Sequence, residues 1–181
     1  MRATFDGLSA TNKALIAQNE SLTKRIASTE QYSRLNNIEI KGISSTQGED
    51  CSAILTTAAD AIDCPLDVVD IDTVHRVATS HHRKNLIVRF CSRTKKNGFL
   101  RKARKARLRT SMIGLSGADS PIYVNEHLTF ENKRLFSRAL ALNKEHKWQF
   151  LWTDNCQIKA RKTENSKVFF ISSEADLRVM T

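Results

Sequence analysis

Leu8, Leu15 and Leu22 recur at strict seven-residue spacing, with Phe5, Asn12, Asn19 and Ile26 on the companion positions of the same heptads. Up to Tyr32 there is no proline and Gly7 is the only glycine, so nothing in this stretch breaks a helix. A strict heptad period commits the segment to one long helix with a single seam, and such a seam is covered by a helix of the same kind. Residues 1–35 are therefore expected to form a coiled-coil strand that self-associates through Leu8, Asn12, Leu15, Asn19, Leu22 and Ile26. The two asparagines would lower stability while fixing register and oligomer number. So few heptads are marginal alone, which makes a longer coil upstream in a natural precursor an expectation. The alternative is a single amphipathic helix laid on its own domain.

A second feature bears on function. From Arg93 to Arg109, nine of seventeen positions are Lys or Arg and none is acidic. The whole chain has a formal net charge of +10, so this segment holds most of the excess. Charge concentrated in this way implies a polyanionic partner. Cations that neutralise phosphates release condensed counterions, which gives affinity without sequence reading and makes that affinity steeply salt-dependent. The plainer account, a solvated helix face, normally intersperses both signs.

With 40% hydrophobic residues over 181 positions, the chain can bury one or two small cores beside the helical appendage. Cys51, Cys64, Cys91 and Cys156 form no CxxC pair and have no histidine at ligand spacing, so neither a metal site nor a disulfide framework is expected. A reducing compartment is the simpler reading. No apolar run approaches the roughly 20 residues that span a bilayer, and the N-terminus lacks a signal core. The expectation is an intracellular protein of nucleus or cytoplasm, with no membrane partner and no cofactor.

From Asn36 the period changes. Ile38, Ile40 and Ile43 mark a short strand, Cys51 to Ile62 a helix closed by Pro65, Val68 to Val77 a strand, Ser80 to Lys84 a polar turn, and Leu86 to Phe90 an apolar strand. Lys95 to Arg107 follows as a helix with Phe99, Leu100, Ala103 and Ala106 inward and Arg101, Lys105 and Arg109 toward solvent. Ile122 to Val124 gives a fourth strand. The order strand, helix, strand, strand, helix, strand is the ferredoxin-like order of RNA-recognition modules. Further on, Thr129 is the expected N-cap and Glu131 the first-turn acid of a helix with a stripe of Leu135, Phe136, Ala139, Leu140 and Leu142. Phe150 to Thr153 and Gln157 to Arg161 read as a hairpin about Asp154-Asn155, Val168 to Ile171 as a third strand, and Glu174 to Met180 as a closing helix. The expected class is α+β: a coiled-coil helix (1–35), a ferredoxin-like βαββαβ domain (36–125) and a small α/β C-terminal domain (126–181).

Basic residues supply the candidate interface. Arg76, beside His75, ends the second strand, and Arg83, Lys84 and Arg89 flank or enter the third. Arg101, Lys102, Arg104, Lys105 and Arg109 belong to the basic helix, while Lys133, Arg134, Arg138, Lys159, Arg161 and Lys162 line the last third together with Trp148 and Trp152. Ordinary strand-end solvation accounts equally well for each strand cation taken alone, with Arg89 set apart by its apolar strand. The aromatic pairs on which RNA-recognition domains stack bases are missing, since the first strand has no aromatic and the third only Phe90. Trp148 and Trp152 can stack bases, at roughly 1–3 kcal/mol each, although a core role is expected for at least one. Asp70 and Asp72 have no third carboxylate, and His81-His82 have no nucleophile at matching spacing, so no catalytic residue is assigned and a binding protein rather than an enzyme is expected.

Three segments carry a resemblance. Gln31-Tyr32-Ser33-Arg34-Leu35-Asn36-Asn37-Ile38-Glu39-Ile40-Lys41-Gly42 resembles the coil-to-strand junction of baculovirus few-polyhedra (FP) proteins and of related insect proteins, many derived from LINE-class retrotransposon first-open-reading-frame proteins. Ile122-Tyr123-Val124-Asn125-Glu126-His127-Leu128-Thr129 with Glu131-Asn132-Lys133-Arg134-Leu135 resembles the start of the FP C-terminal domain, and Phe150-Leu151-Trp152-Thr153 with Lys159-Ala160-Arg161-Lys162 its hairpin. The resemblance implies a coiled coil, an RNA-recognition-like domain and a C-terminal domain. In the retrotransposon relatives these form a trimer that binds single-stranded nucleic acid between the two domains and acts as its chaperone. Arg25-Ile26-Ala27-Ser28-Thr29-Glu30 resembles a trimer-specifying pattern of Arg, two hydrophobics and Glu, from which the polar Thr29 departs. Baculovirus FP proteins are instead associated with virion and occlusion-body production. Two functions are therefore carried forward: an oligomeric binder of single-stranded RNA or DNA, dimeric or trimeric through Arg25, Ile26, Glu30 and the heptad residues, and an assembly protein whose coil recruits protein partners.

Overall fold

A computed structural model of the chain describes residues 2–78, 84–115 and 117–181, with side chains from residue 7 onward. It divides into two units, the first ending at Ser33 and the second running Arg34–Thr181. Arg83, His81-His82, most of the Ser80 to Lys84 turn and the Phe5 side chain lie outside the described residues.

The first unit is one helix, α1 (Arg2–Ser33). Its seam side chains face solvent in the single chain: Leu8 is 70% exposed, Leu15 59%, Leu22 45% and Ile26 66%. The chain leaves the helix through a turn in which the Asn37 N–H bonds the Arg34 carbonyl at 2.9 Å.

The second unit is α+β, with two antiparallel sheets among the described residues. β1 (Asn37–Lys41), α2 (Cys51–Asp60), β2 (Ile71–Ala78), β3 (Lys84–Phe90), α3 (Arg93–Ala106) and β4 (Tyr123–Glu126) build a four-stranded sheet in the order β2-β3-β1-β4. Alternation along the strands sends Ile38, Ile40, Leu86, Val88, Phe90 and Val124 to one face, where they meet Leu55, Ala58 and Ala59 of α2 and Phe99, Leu100 and Ala103 of α3. Each fully buried Leu, Ile or Phe contributes about 1.5–3 kcal/mol, so this cluster dominates the stability of the unit. Gly42 (φ +94°) lets the end of β1 approach the Pro121 carbonyl so closely that a Cβ would collide with it.

α4 (Phe130–Glu145), β5 (Phe150–Asp154), β6 (Gln157–Arg161) and β7 (Phe169–Ile171) follow, the strands in the order β5-β6-β7. Leu135, Ala139, Trp148, Ile158, Ala160, Ile171, Leu177 and Met180 form a second core. Thr129 caps α4 as expected, its hydroxyl accepting from the Asn132 N–H at 3.3 Å.

Several boundaries differ from the sequence expectation, each for a local reason. The strand expected from Val68 begins at Ile71, because Asp70 turns back to accept the Asp67 N–H and folds Val68–Asp70 into a 3₁₀ turn with Val68 93% exposed. Ala106 is exposed rather than inward, since α3 ends there and Arg107 enters the left-handed region (φ 52°). The hairpin turns about Asn155-Cys156, one residue later than expected; both have positive φ (49° and 60°), the signature of a type I′ turn. Leu140 is exposed, and the closing helix is 3₁₀, with the Asp176 carboxylate accepting the Ser172 and Ser173 N–H groups.

Candidate nucleic-acid interface

The basic helix is fixed from below by an ion pair. Lys96 is fully buried, and its Nζ lies 3.1 Å from Glu126 Oε1 at the end of β4. The other oxygen of Glu126 accepts the Cys156 N–H at 3.0 Å, so one carboxylate holds α3, β4 and the hairpin turn together. Asn97 adds a bond to Asn155 (3.3 Å), and the Arg104 guanidinium reaches the carbonyl and hydroxyl of Thr153 (3.4 and 3.3 Å). Burial, and then the charge of Glu126, push the Cys156 thiol up to about 12, which keeps it un-ionised.

With Lys96, Phe99, Leu100 and Ala103 inward, helical geometry puts Arg101, Lys102, Arg104 and Lys105 on the opposite arc. Ser92 caps the helix by accepting from the Lys95 N–H. Lys102 donates to the Asp63 carbonyl on one flank and Arg104 to Thr153 on the other. Between them, Arg101 and Lys105, with Arg107 just past the last turn, are exposed and make no hydrogen bond or ion pair among the described residues. Three unpaired cations on a helix that carries no acidic residue leave a positive field open to solvent.

Other predicted cations are engaged by the fold. Arg76, expected at the interface, is engaged within the fold: its Nε and one terminal nitrogen grip Glu49 (2.8 and 2.9 Å), and its remaining donors bond the carbonyls of Ile43, Ser44 and Lys84. All five guanidinium hydrogens are used, so Arg76 pins the loop after β1 and has none left for a phosphate. Arg109, expected on the solvent side of the basic helix, lies beyond the end of α3 and pairs with Asp119, whose carboxyl Arg109 and Ser111 hold down to about 2. Arg89 pairs with Asp72 at 3.1 Å, Lys133 with Glu39 at 3.0 Å, Arg134 with Glu131 at 3.2 Å and Arg138 with Glu174 at 2.6 Å. Lys84 and Lys162 are exposed. The Arg89, Arg134 and Arg138 pairs are exposed and weak enough for a phosphate to exchange with the carboxylate, whereas the Glu39 partner of Lys133 is buried.

The face of the four-stranded sheet away from its helices carries Asn37, Glu39 and Lys41, Asn85, Ile87 and Arg89, and Tyr123, by strand alternation from the core residues. Phe90 points the other way, into the core. Glu39 is buried there; desolvation raises its carboxyl, but Lys133 and Asn85 outweigh that and hold it below the usual range. Nearby, burial first, then Arg34 and Lys133, lower the His127 imidazole to about 4, and Asn37 bonds its Nδ1 at 3.3 Å.

On the C-terminal sheet, Trp148 is a core residue, its ring edge-on to Phe169 (5.7 Å) and its Nε1 donating to the Met180 carbonyl. Trp152, Lys159 and Arg161 share the opposite face with Phe150 and Phe170, two aromatics absent from the sequence-based site. The signal was there in the period-two alternation of Phe150 with Trp152 and of Lys159 with Arg161. No helix among the described residues is long and apolar enough to cross a membrane.

Residues 129–181, from the α4 cap to the C-terminal residue, match the family model of Baculovirus FP protein domain 2. That similarity supports the FP resemblance for this part of the chain. Among curated proteins none matches.

Proposed function

We propose that the chain is an oligomeric, largely sequence-independent binder of single-stranded RNA or DNA, acting by binding rather than catalysis. The observation that carries this reading is the unpaired group Arg101, Lys105 and Arg107 on a helix end with no acidic residue of its own. A phosphate backbone meets there cations that give up no existing partner. The order β2-β3-β1-β4 with both helices on one face supports a ferredoxin-like reading of the four-stranded sheet, while Phe90, the one aromatic of the central strands β1 and β3, faces the core, which directs nucleic acid away from the stacking route used by standard RNA-recognition domains. Binding between the two domains, which the resemblance implies, is supported by Arg104, which bridges α3 and the hairpin. Exposed leucines at heptad spacing support a dimer or trimer through α1 as a coiled coil. The match to FP domain 2 fits this reading, and the resemblance to retrotransposon proteins adds a chaperone role in nucleus or cytoplasm.

The test is the salt dependence of binding. Each phosphate contact on a single strand contributes a slope of about 0.7 in log affinity against log salt. Replacing Arg101, Lys105 and Arg107 by Gln should lower the slope by about 2 with the fold intact; an unchanged slope removes α3 from the interface. Unstructured polylysine of equal charge serves as the control: affinity no better than polylysine would favour the assembly reading, to which the exposed coil seam also points.

A further inference from the structure

We propose that the outer face of the β5-β6-β7 sheet is a stacking platform for unpaired bases, formed by the rings of Phe150, Trp152 and Phe170 and the cations Lys159 and Arg161. This rests on the nucleic-acid reading above and supplies its preference for single strands. The register sets the pattern: Phe150 stands opposite Arg161, and Trp152 opposite Lys159, which is itself opposite Phe170. Rings and cations therefore alternate across the strands. With strands about 4.8 Å apart and same-face residues about 6.8 Å apart along a strand, Trp152 lies roughly 7–10 Å from each of the other two rings, and Phe150 and Phe170 about 12 Å from one another, spaced so that planar bases fit against them. Phe170 is 58% exposed and Phe150 37%, and Trp152 is half-buried.

The open face of an antiparallel sheet is normally polar, and three aromatics there are a feature that stability does not require. Cations sit against two of the three rings. The Arg161 guanidinium sits 4.5 Å from the Phe150 ring centre and the Lys159 ammonium 5.2 Å from that of Phe170, both within cation–π range. Arg161 Nε is buried with no hydrogen-bond partner. Asp154 is bonded to Lys159 at 2.7 Å, and an ammonium has further donors for a phosphate. Exposed rings interleaved with cations, one face of Phe150 and of Phe170 being covered by its cation, match the chemistry of a single strand; a duplex keeps its base faces inside. The broader, four-stranded sheets of RNA-recognition domains stack two or three bases.

The experiment compares an oligothymidylate with an abasic strand of the same length and charge, using the full chain. Wild type should bind the thymine strand at least about tenfold more tightly, and the variant Phe150→Leu/Trp152→Leu/Phe170→Leu should bring that ratio close to one. A folded variant that keeps the ratio, a wild type with a ratio near one, or a variant that changes only the oligomeric state would overturn the platform while leaving phosphate binding in place. Failure to bind either strand would instead sink the nucleic-acid reading itself. Should the triple variant not fold, wild-type tryptophan emission decides: thymine strands should quench Trp152 and abasic strands should not, and equal quenching by both would count against stacking.

Discussion

Lys96 illustrates how one residue can be misjudged from its neighbours. In the sequence it is one cation of a basic run, yet it is fully buried against Glu126, 30 positions away. Nothing local marks it apart from its helical spacing to Phe99, Leu100 and Ala103. Lys96→Met leaves Glu126 buried without its counter-charge and should destabilise the fold by about 3–5 kcal/mol in urea unfolding. The double variant Lys96→Met/Glu126→Gln, which keeps an acceptor for the Cys156 N–H, should recover part of that loss; equal loss in both would show that the ion pair is not what holds the helix. His127 gives a second test at this scale. Its folded value of about 4 lies below the ordinary 6.5, so between those values the unfolded chain binds the extra proton. Its contribution to stability is complete above 6.5 and is lost as pH falls toward 4. His127→Asn should flatten the stability profile across that window, and an unchanged profile would place the imidazole in water.

At the scale of elements, hydrophobic periodicity located the strands and α-helices of the second unit, because alternation and helical stripes follow directly from which face is covered, but not the 3₁₀ helix Thr110–Ile113. It failed where side chains take over from packing. The Asp70 cap turned the start of an expected strand into a 3₁₀ turn, and the positive φ values of Asn155 and Cys156 moved the hairpin by one residue. The basic helix was legible as a charge cluster but not as a sorted one. Partners distant in sequence, such as Asp63 for Lys102 and Thr153 for Arg104, decide which cations are free. Arg76 was unreadable for the same reason, since Glu49 and three carbonyls converge on it only in the fold. Arg101, Lys105 and Arg107 together should therefore carry more of the salt slope than Arg76 and Arg109, a ranking that single substitutions measure directly.

At the scale of the molecule, α1 exposes apolar residues that no residue of its own unit covers. Leu15→Asp with Leu22→Asp should convert an oligomer to a monomer in sedimentation, and should weaken binding to long strands by tenfold or more through lost avidity while sparing short ones. A wild type already monomeric at micromolar concentration would remove the coil from the account. The central claim is that exposed cations of the second unit bind unpaired nucleic acid. Fluorescence anisotropy of one labelled oligonucleotide, single-stranded and as a duplex of equal length, across a salt series tests it most directly. Submicromolar binding that favours the single strand and weakens steeply with salt is expected; weak binding, equal for the two forms, would overturn the nucleic-acid role.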